Sequence, residues 1–209
     1  MLSINKTTEQ NWVIASSNQS KITEINNLLA SRNIILKPQS DYNISDIPET
    51  ASTFVENALI KARHACSHVS LPCLADDSGL VVPALDGEPG LYSARYAGTK
   101  NSQDNIDKLL KNLKNLSDYK TDNIYPAFFY CCLVLLKHPL DPSPIIAEGR
   151  WYGEITFDQK GTNGFGYDSI FFDSKLKLTA AQMPSEQKDM YSHRGQALQN
   201  LLRSIKQET

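Results

Sequence analysis

The stretch Leu74-Ala75-Asp76-Asp77-Ser78-Gly79-Leu80-Val81-Val82 constrains this chain more than any other. Two apolar runs, each long enough for a short strand, enclose two adjacent carboxylates, a hydroxyl and a glycine. Unpaired buried charge is strongly disfavoured. The sequence therefore predicts the aspartate pair at a strand end or bend, open to solvent or a ligand, with Gly79 turning the backbone. Taken alone, Asp-Asp-Ser-Gly is equally ordinary surface-turn composition. What separates the two readings is the rest of the chain, which supplies lysines, a further carboxylate and two loops of small residues.

Upstream, Trp12-Val13-Ile14-Ala15 is a buried-strand candidate, preceded by a polar stretch, 1–11, that reads as a flexible N-terminal tail. The polar loop Ser16-Ser17-Asn18-Gln19-Ser20-Lys21 follows, then a helix with Ile22, Ile25, Leu28 and Leu29 on one face. Strand, small-residue loop and helix together present backbone N–H groups to an anion, and Lys21 adds a point charge. The loop is not a Walker A sequence, and by itself it also fits a plain connection. Ile34-Ile35-Leu36 forms a second strand. Thr53-Phe54-Val55-Glu56 is a capping box, opening a helix from Phe54 to about His68 with Val55, Ala58, Leu59, Ala62 and Cys66 toward a core. Asn57 and Lys61, four apart, form a polar stripe on another face. Glu49, just before that helix, is a further carboxylate that could reach the place of the Asp76-Asp77 turn, which spacing alone does not prove.

Composition narrows the classes. With 209 residues there is chain for one domain, 12–209, or for two closely joined lobes. A net charge of −2 argues against direct nucleic-acid binding, while local clusters still suit a small anion. The four cysteines show no Cys-x-x-Cys spacing and no disulfide framework, which points away from zinc and toward a reducing cytoplasm. The longest apolar run, Ala127 to Leu136, is too short to cross a membrane, and the N-terminus lacks the apolar segment of a signal peptide.

In the second half, Gly87-Glu88-Pro89-Gly90 signals a turn. Ser102 to Leu116 is the clearest amphipathic helix, with Ile106, Leu109, Leu110, Leu113 and Leu116 on one face. Tyr125 to Leu136 reads as a long central strand. Ile145 to Glu148 and Trp151 to Phe157 read as two strands of a hairpin around Gly149-Arg150. Gly161-Thr162-Asn163-Gly164-Phe165-Gly166-Tyr167-Asp168 is too glycine-rich for regular structure. It suits close approach of backbone and ring to a flat ligand, or a hairpin loop with Phe165 tucked inward. Pro184 to Met190 makes a short helix bearing Lys188. Ser192 caps a last helix whose Ala197, Leu198, Leu201, Leu202 and Ile205 face inward. His193 and Arg194 lie in its first turn, where the helix dipole disfavours cations; a functional contact would offset that.

Taken together, these segments resemble the inosine/xanthosine triphosphate pyrophosphatases. The matching stretches are Ala15 to Lys21, Glu49-Thr50 with Thr53 to Arg63, and Leu74 to Leu80. They continue with Gly90-Leu91-Tyr92-Ser93-Ala94-Arg95-Tyr96, Gly164 to Asp168, and Ser192-His193-Arg194-Gly195-Gln196-Ala197-Leu198. The likeness runs through nearly the whole chain in family order. It implies an α/β fold, a long, mixed, twisted central sheet flanked by helices, in two lobes around a nucleotide-binding cleft, and a homodimer. It implies that Ser16, Ser17, Asn18, Gln19, Ser20, Lys21 and Lys61 hold a triphosphate. Glu49 and Asp77 would bind Mg²⁺, and Asp77 would activate the attacking water. Ser78, Phe165, Gly166, Tyr167, Asp168, Lys188, His193 and Arg194 would contact the nucleotide, mainly its base. The implied reaction is Mg²⁺-dependent hydrolysis of ITP, dITP or XTP to monophosphate and pyrophosphate, which cleanses the nucleotide pool. Two competing readings are a pyrophosphatase for modified pyrimidine nucleotides and a nucleotide-binding module without catalysis. Against the second, a binder needs the lysines but not the water-activating carboxylate. Three positions depart from the family: Ser17 replaces glycine, Gln182 replaces glutamate, and Ser169 replaces proline.

Overall fold

The first strand, β1 (Gln10–Ile14), begins two residues before the apolar run, because Gln10 and Asn11 pair in parallel with Ile34 and Ile35 of β2 (Ile34–Pro38). The computed structural model describes residues 10–29, 32–116 and 124–207, so most of the expected tail, 1–11, lies outside the described residues. Between these strands runs α1 (Gln19–Leu29). It starts at Gln19 rather than after Lys21, because the Asn18 side chain accepts the Lys21 N–H at 3.2 Å and closes the first turn.

Helix α2 (Phe54–Cys66) begins where the capping box predicts: the Thr53 hydroxyl accepts the Glu56 N–H at 3.3 Å. It leads to β3 (Cys73–Val81), which pairs in parallel with β1 through Val13↔Cys73 and Ile14↔Leu74. Next come α3 (Ser102–Lys114), β4 (Tyr125–Leu136), β5 (Ile145–Ile155), β6 (Phe171–Asp173) and β7 (Leu178–Thr179), then α4 (Ser185–Tyr191) and α5 (His193–Gln207). The strand order is β2-β1-β3-β4-β5-β6-β7, parallel at β1–β2 and β1–β3 and antiparallel at β5–β6 and β6–β7. The fold is thus α/β with a mixed, twisted seven-stranded sheet. From Phe129 to Leu136 every residue of β4 is buried, the pattern of a strand covered on both faces.

The chain divides into two units, each with its own core. The first comprises residues up to Asp77, Cys131–Gly149 and His193 onward. Its core packs Trp12, Ile14, Ile25, Leu29, Leu74, Leu133, Leu135 and Leu201, each close to fully buried. The second comprises Ser78–Tyr130 and Arg150–Ser192, around Leu80, Leu109, Leu113, Trp151, Ile170 and Phe171. Burying each such side chain contributes about 1.5–3 kcal/mol.

The expected hairpin at Gly149-Arg150 is replaced by one continuous strand, β5. Gly149 serves packing rather than turning: a Cβ there would lie 1.9 Å from the His193 carbonyl oxygen and 2.6 Å from the Ala197 nitrogen. Only a hydrogen lets α5 approach β5 that closely. Gln182, one of the departures from the family, closes a capping box by accepting the Thr179 N–H at 2.9 Å. Its amide oxygen supplies the acceptor that a glutamate would.

Candidate active site

Asp76 and Asp77 occupy the interior of β3, not a strand end or bend, and Gly79 continues the strand. Asp76 is 1% exposed and Asp77 6%. The expectation of an open turn treated the carboxylates as unpaired. In the structure their charge is compensated, which makes burial tolerable. Lys21 pairs with Asp76 Oδ1, while Oδ2 accepts from Arg194 Nε at 3.0 Å and from the Cys131 thiol at 3.2 Å. Burial opposes ionisation of Asp76, yet Lys21 and Arg194 outweigh it and hold the carboxyl well below the usual carboxylate range. Burial, with Asp76 beside it, pushes the Cys131 thiol well up, so this sulfur remains a protonated donor. Arg194 also pairs with Glu24. Burial works against its charge, but the two carboxylates dominate and raise the guanidinium above its ordinary value.

Asp77 belongs to a second cluster. Lys61 Nζ donates to Glu49 Oε1 at 2.6 Å, to the Asp76 carbonyl oxygen at 2.7 Å and to Asp77 Oδ1 at 3.0 Å. Lys61 is carried by α2 on the face shared with Asn57. That stripe is not solvated: Asn57 is buried, and its Oδ1 accepts the Ala51 N–H at 2.9 Å, holding the segment that follows Glu49. Burial would lower the Lys61 pKa, but Asp77 and Glu49 outweigh it and the net shift is upward. For Asp77 burial dominates the pull of Lys61 and Lys21, and its pKa rises. A raised carboxylate is a better proton acceptor near neutral pH.

The donor set suits a hard divalent cation. Glu49 and Asp77 aim one carboxylate oxygen each at the same cationic nitrogen. Among the described residues no group of three His, Cys, Asp or Glu side chains could hold a metal by itself. Magnesium accepts that arrangement, since it commonly takes one or two carboxylates and completes its shell with water and substrate phosphates.

The segment Ser16 to Lys21 lies at the α1 N-terminus. Ser16 Oγ accepts the Asn18 N–H at 3.1 Å, and residues Ser17 to Ser20 are exposed. The first turn of α1 carries no acidic residue, so the positive end of the helix dipole there meets no carboxylate of its own turn.

In the second unit the glycine-rich loop is organised by Asp168. Its Oδ2 accepts the Phe165 N–H at 2.9 Å and pairs with Lys188 Nζ at 2.7 Å. Lys188 Nζ also lies 5.3 Å from the centre of the Phe165 ring, a cation–π contact. Gly164 has φ +75°, and a Cβ there would sit 2.0 Å from Asp168 Oδ2, so glycine is required on both counts. The Tyr167 hydroxyl donates to the Ser93 carbonyl at 3.0 Å, and Ser93 Oγ accepts the Leu80 N–H at 2.9 Å. Ser78 opens this unit's share of β3.

The structure therefore brings Glu49, Lys61 and Asp77 together, and Lys21 with Asp76 and Arg194. Separately, in the second unit, it brings together Phe165, Asp168 and Lys188. Arg194, which the resemblance assigns to the base, directs Nε and Nη1 at carboxylates. Sequence reasoning missed Glu24, Cys131 and the burial of Asn57. Glu24 carried a signal, standing three residues after Lys21 on the same helical face. Cys131, in an unbroken apolar strand, carried none.

Comparisons with known proteins identify the family and the fold. The sequence profile described as the Ham1 family matches residues 12–204. The chain is 49% identical over 194 residues to a dITP/XTP pyrophosphatase of Legionella pneumophila (strain Paris), covering 92% of this chain and 96% of that one. It is 50% identical over 190 residues to a dITP/XTP pyrophosphatase of Xylella fastidiosa (strain 9a5c), covering 90% and 94%. Its structure superimposes on a HAM1 protein from Coxiella burnetii with a TM-score of 0.85 at 43% identity, covering 96% of this chain and all of the other.

Proposed function

The chain belongs to the Ham1 family, and from that premise we propose that it hydrolyses deaminated purine nucleoside triphosphates (ITP, dITP and XTP) to the monophosphate and pyrophosphate. The observation that carries this reading is the Glu49–Lys61–Asp77 cluster: two carboxylates converge on one cation, beside a second buried carboxylate held by Lys21. Carboxylates converging in this way suit a metal-bound phosphate chain, and ammonium groups suit its negative charge.

In this reading Lys21, Lys61 and the backbone N–H groups of the α1 N-terminus bind the phosphates. Asp77 holds the attacking water and accepts its proton. Glu49 and Asp77 hold Mg²⁺, which supplies charge neutralisation at the phosphates and makes bound water more acidic. No covalent nucleophile is needed, since positioning and electrostatics carry phosphoryl chemistry. Ser78, Phe165 to Asp168, Lys188, His193 and Arg194 serve the base. Hypoxanthine and xanthine offer a keto oxygen where adenine offers an amino donor, so protein N–H donors favour the former. Arg194 directs Nε at Asp76 and Nη1 at Glu24, so in this reading a base contact has to coexist with both carboxylates. A homodimer belongs to the same family reading, and the cysteine usage points to a reducing cytoplasm; among the described residues no helix is long and apolar enough to cross a membrane.

The test is pyrophosphate release from ITP, dITP, XTP, GTP and ATP, with and without Mg²⁺. Metal-dependent release from the first three, well above the last two, is expected. Release of inorganic phosphate instead, or equal rates on ATP, would overturn the proposal.

A further inference from the structure

Lys61 is a saturated cation. An ammonium group has three N–H donors, and its three acceptors are Glu49 Oε1, the Asp76 carbonyl oxygen and Asp77 Oδ1, all within 3.0 Å. The side chain is 13% exposed, so little water competes for these bonds. Two of the three acceptors are the carboxylate oxygens assigned above to the metal. A phosphate oxygen can therefore receive a Lys61 N–H only if one of these acceptors is given up. A divalent cation bonded to the same two carboxylate oxygens, Glu49 Oε1 and Asp77 Oδ1, excludes an ammonium from the place between them, for reasons of space and of like charge. Lys21 differs: its carboxylate partner is Asp76, which has no assigned metal role and is further braced by Arg194 and Cys131.

We propose that in the nucleotide-free protein the Lys61 ammonium occupies the place between Glu49 and Asp77 that a divalent cation takes for turnover. Cation entry moves the ammonium from the carboxylates to the triphosphate. The inference rests on the reading of Glu49 and Asp77 as metal ligands. The four-carbon stem of lysine is flexible enough for such a move while α2 stays fixed. Metal alone must expel Lys61 with no phosphate to receive it, and triphosphate alone must draw Lys61 away from two carboxylates. Bound together, each ligand supplies the partner that the other displaces, so the two affinities are positively coupled, and the coupling is reciprocal. Until metal arrives, Lys61 also spares Glu49 and Asp77 the repulsion of two unneutralised carboxylates.

The experiment measures Mn²⁺ binding to the nucleotide-free protein by electron paramagnetic resonance, in wild type, Lys61→Met and Lys61→Gln, with circular dichroism confirming native folds. Both substitutions remove the competing cation, and the Mn²⁺ Kd is expected to fall at least about tenfold, equivalent to about 1.4 kcal/mol. In ¹⁵N-labelled wild type, the Lys61 Nζ resonance is expected to shift when Mg²⁺ is added without nucleotide. Equal or weaker Mn²⁺ binding in both variants overturns the inference, as does binding in none of the three proteins. A Lys61 resonance unmoved by saturating Mg²⁺ overturns it too. Failure of the underlying site reading has a different signature: Glu49→Gln or Asp77→Asn, added to Lys61→Met, would leave its Mn²⁺ affinity unchanged.

Discussion

Asp76 in the first unit takes its donors from α1, β4 and α5, at sequence separations of 55 and 118 residues. Asp168 in the second unit accepts from the backbone three residues earlier and from Lys188 twenty residues later. Both carboxylates are buried and both are paired, but the first is braced by three distant segments and the second by its own loop and the helix after it. A brace drawn from distant segments makes the geometry of Asp76 and its neighbour Asp77 as rigid as the core around it. A local brace holds a loop in one shape while leaving that shape open to change with few substitutions. Chemistry that tolerates little displacement fits the first arrangement, and recognition that varies between substrates fits the second.

The sharpest test of that contrast is Arg194→Ala. It leaves Asp76 buried with Lys21 and Cys131 but without its guanidinium, and removing one partner of a buried pair costs about 3–5 kcal/mol. We expect a loss near the lower end, because Lys21 remains, read as a reduced denaturation midpoint. Lys188→Ala in the second unit should cost less. Equal losses would erase the distinction between distant and local bracing. In the same Arg194→Ala protein the ITP-to-ATP ratio of kcat/KM decides whether the side chain also reads the base: a collapse through lost ITP activity supports that role, and an unchanged ratio removes it.

Asp77→Asn keeps the shape of the side chain and removes the charge proposed to bind metal and accept a proton. Turnover should fall by roughly 10²-fold or more, the scale for loss of a general base, with triphosphate still bound through the lysines. Single-turnover pyrophosphate release measures this, and a near-normal kcat would remove Asp77 from the mechanism.

For the second unit, Gly164→Ala forces a left-handed backbone on a side chain and drives its Cβ toward Asp168 Oδ2. A stability loss of about 1–3 kcal/mol is expected, together with a changed preference among nucleobases and an intact metal requirement. If base preference survives while the metal requirement shifts, the proposed role of the Phe165 to Asp168 loop in base choice is wrong. The smallest effect is expected for Ser17→Gly, an exposed position in the loop proposed to bind phosphate. Stability should change by no more than about 0.5 kcal/mol, and activity should persist; its loss would mean that Ser17 shapes the loop.

Much of this was legible in advance, for local reasons. The Thr53–Glu56 cap, the limits of β4 and the apolar face of α3 follow from backbone hydrogen bonding and side-chain period, which act within a few residues. The glycine-rich loop was legible as irregular structure, and Gly164 shows why glycine is needed. The errors share one cause. The aspartate pair was expected in an open turn and Gly149 in a hairpin. In both cases the deciding partner lies elsewhere in the chain: Lys21 and Arg194 for Asp76, the first turn of α5 for Gly149.

The sequence by itself determined most of the strands and helices, and which residue types the site has at its disposal. It also determined the family, because those residue types recur in order along nearly the whole chain. Only the tertiary structure decided that two adjacent carboxylates stand inside a strand, that Lys61 lies between Glu49 and Asp77, and that Arg194 faces Asp76 and Glu24. The physical reason is that propensity and capping are settled between near neighbours, whereas the charge state and burial of an ionisable group depend on every charge within a few ångströms. Folding alone brings those charges together.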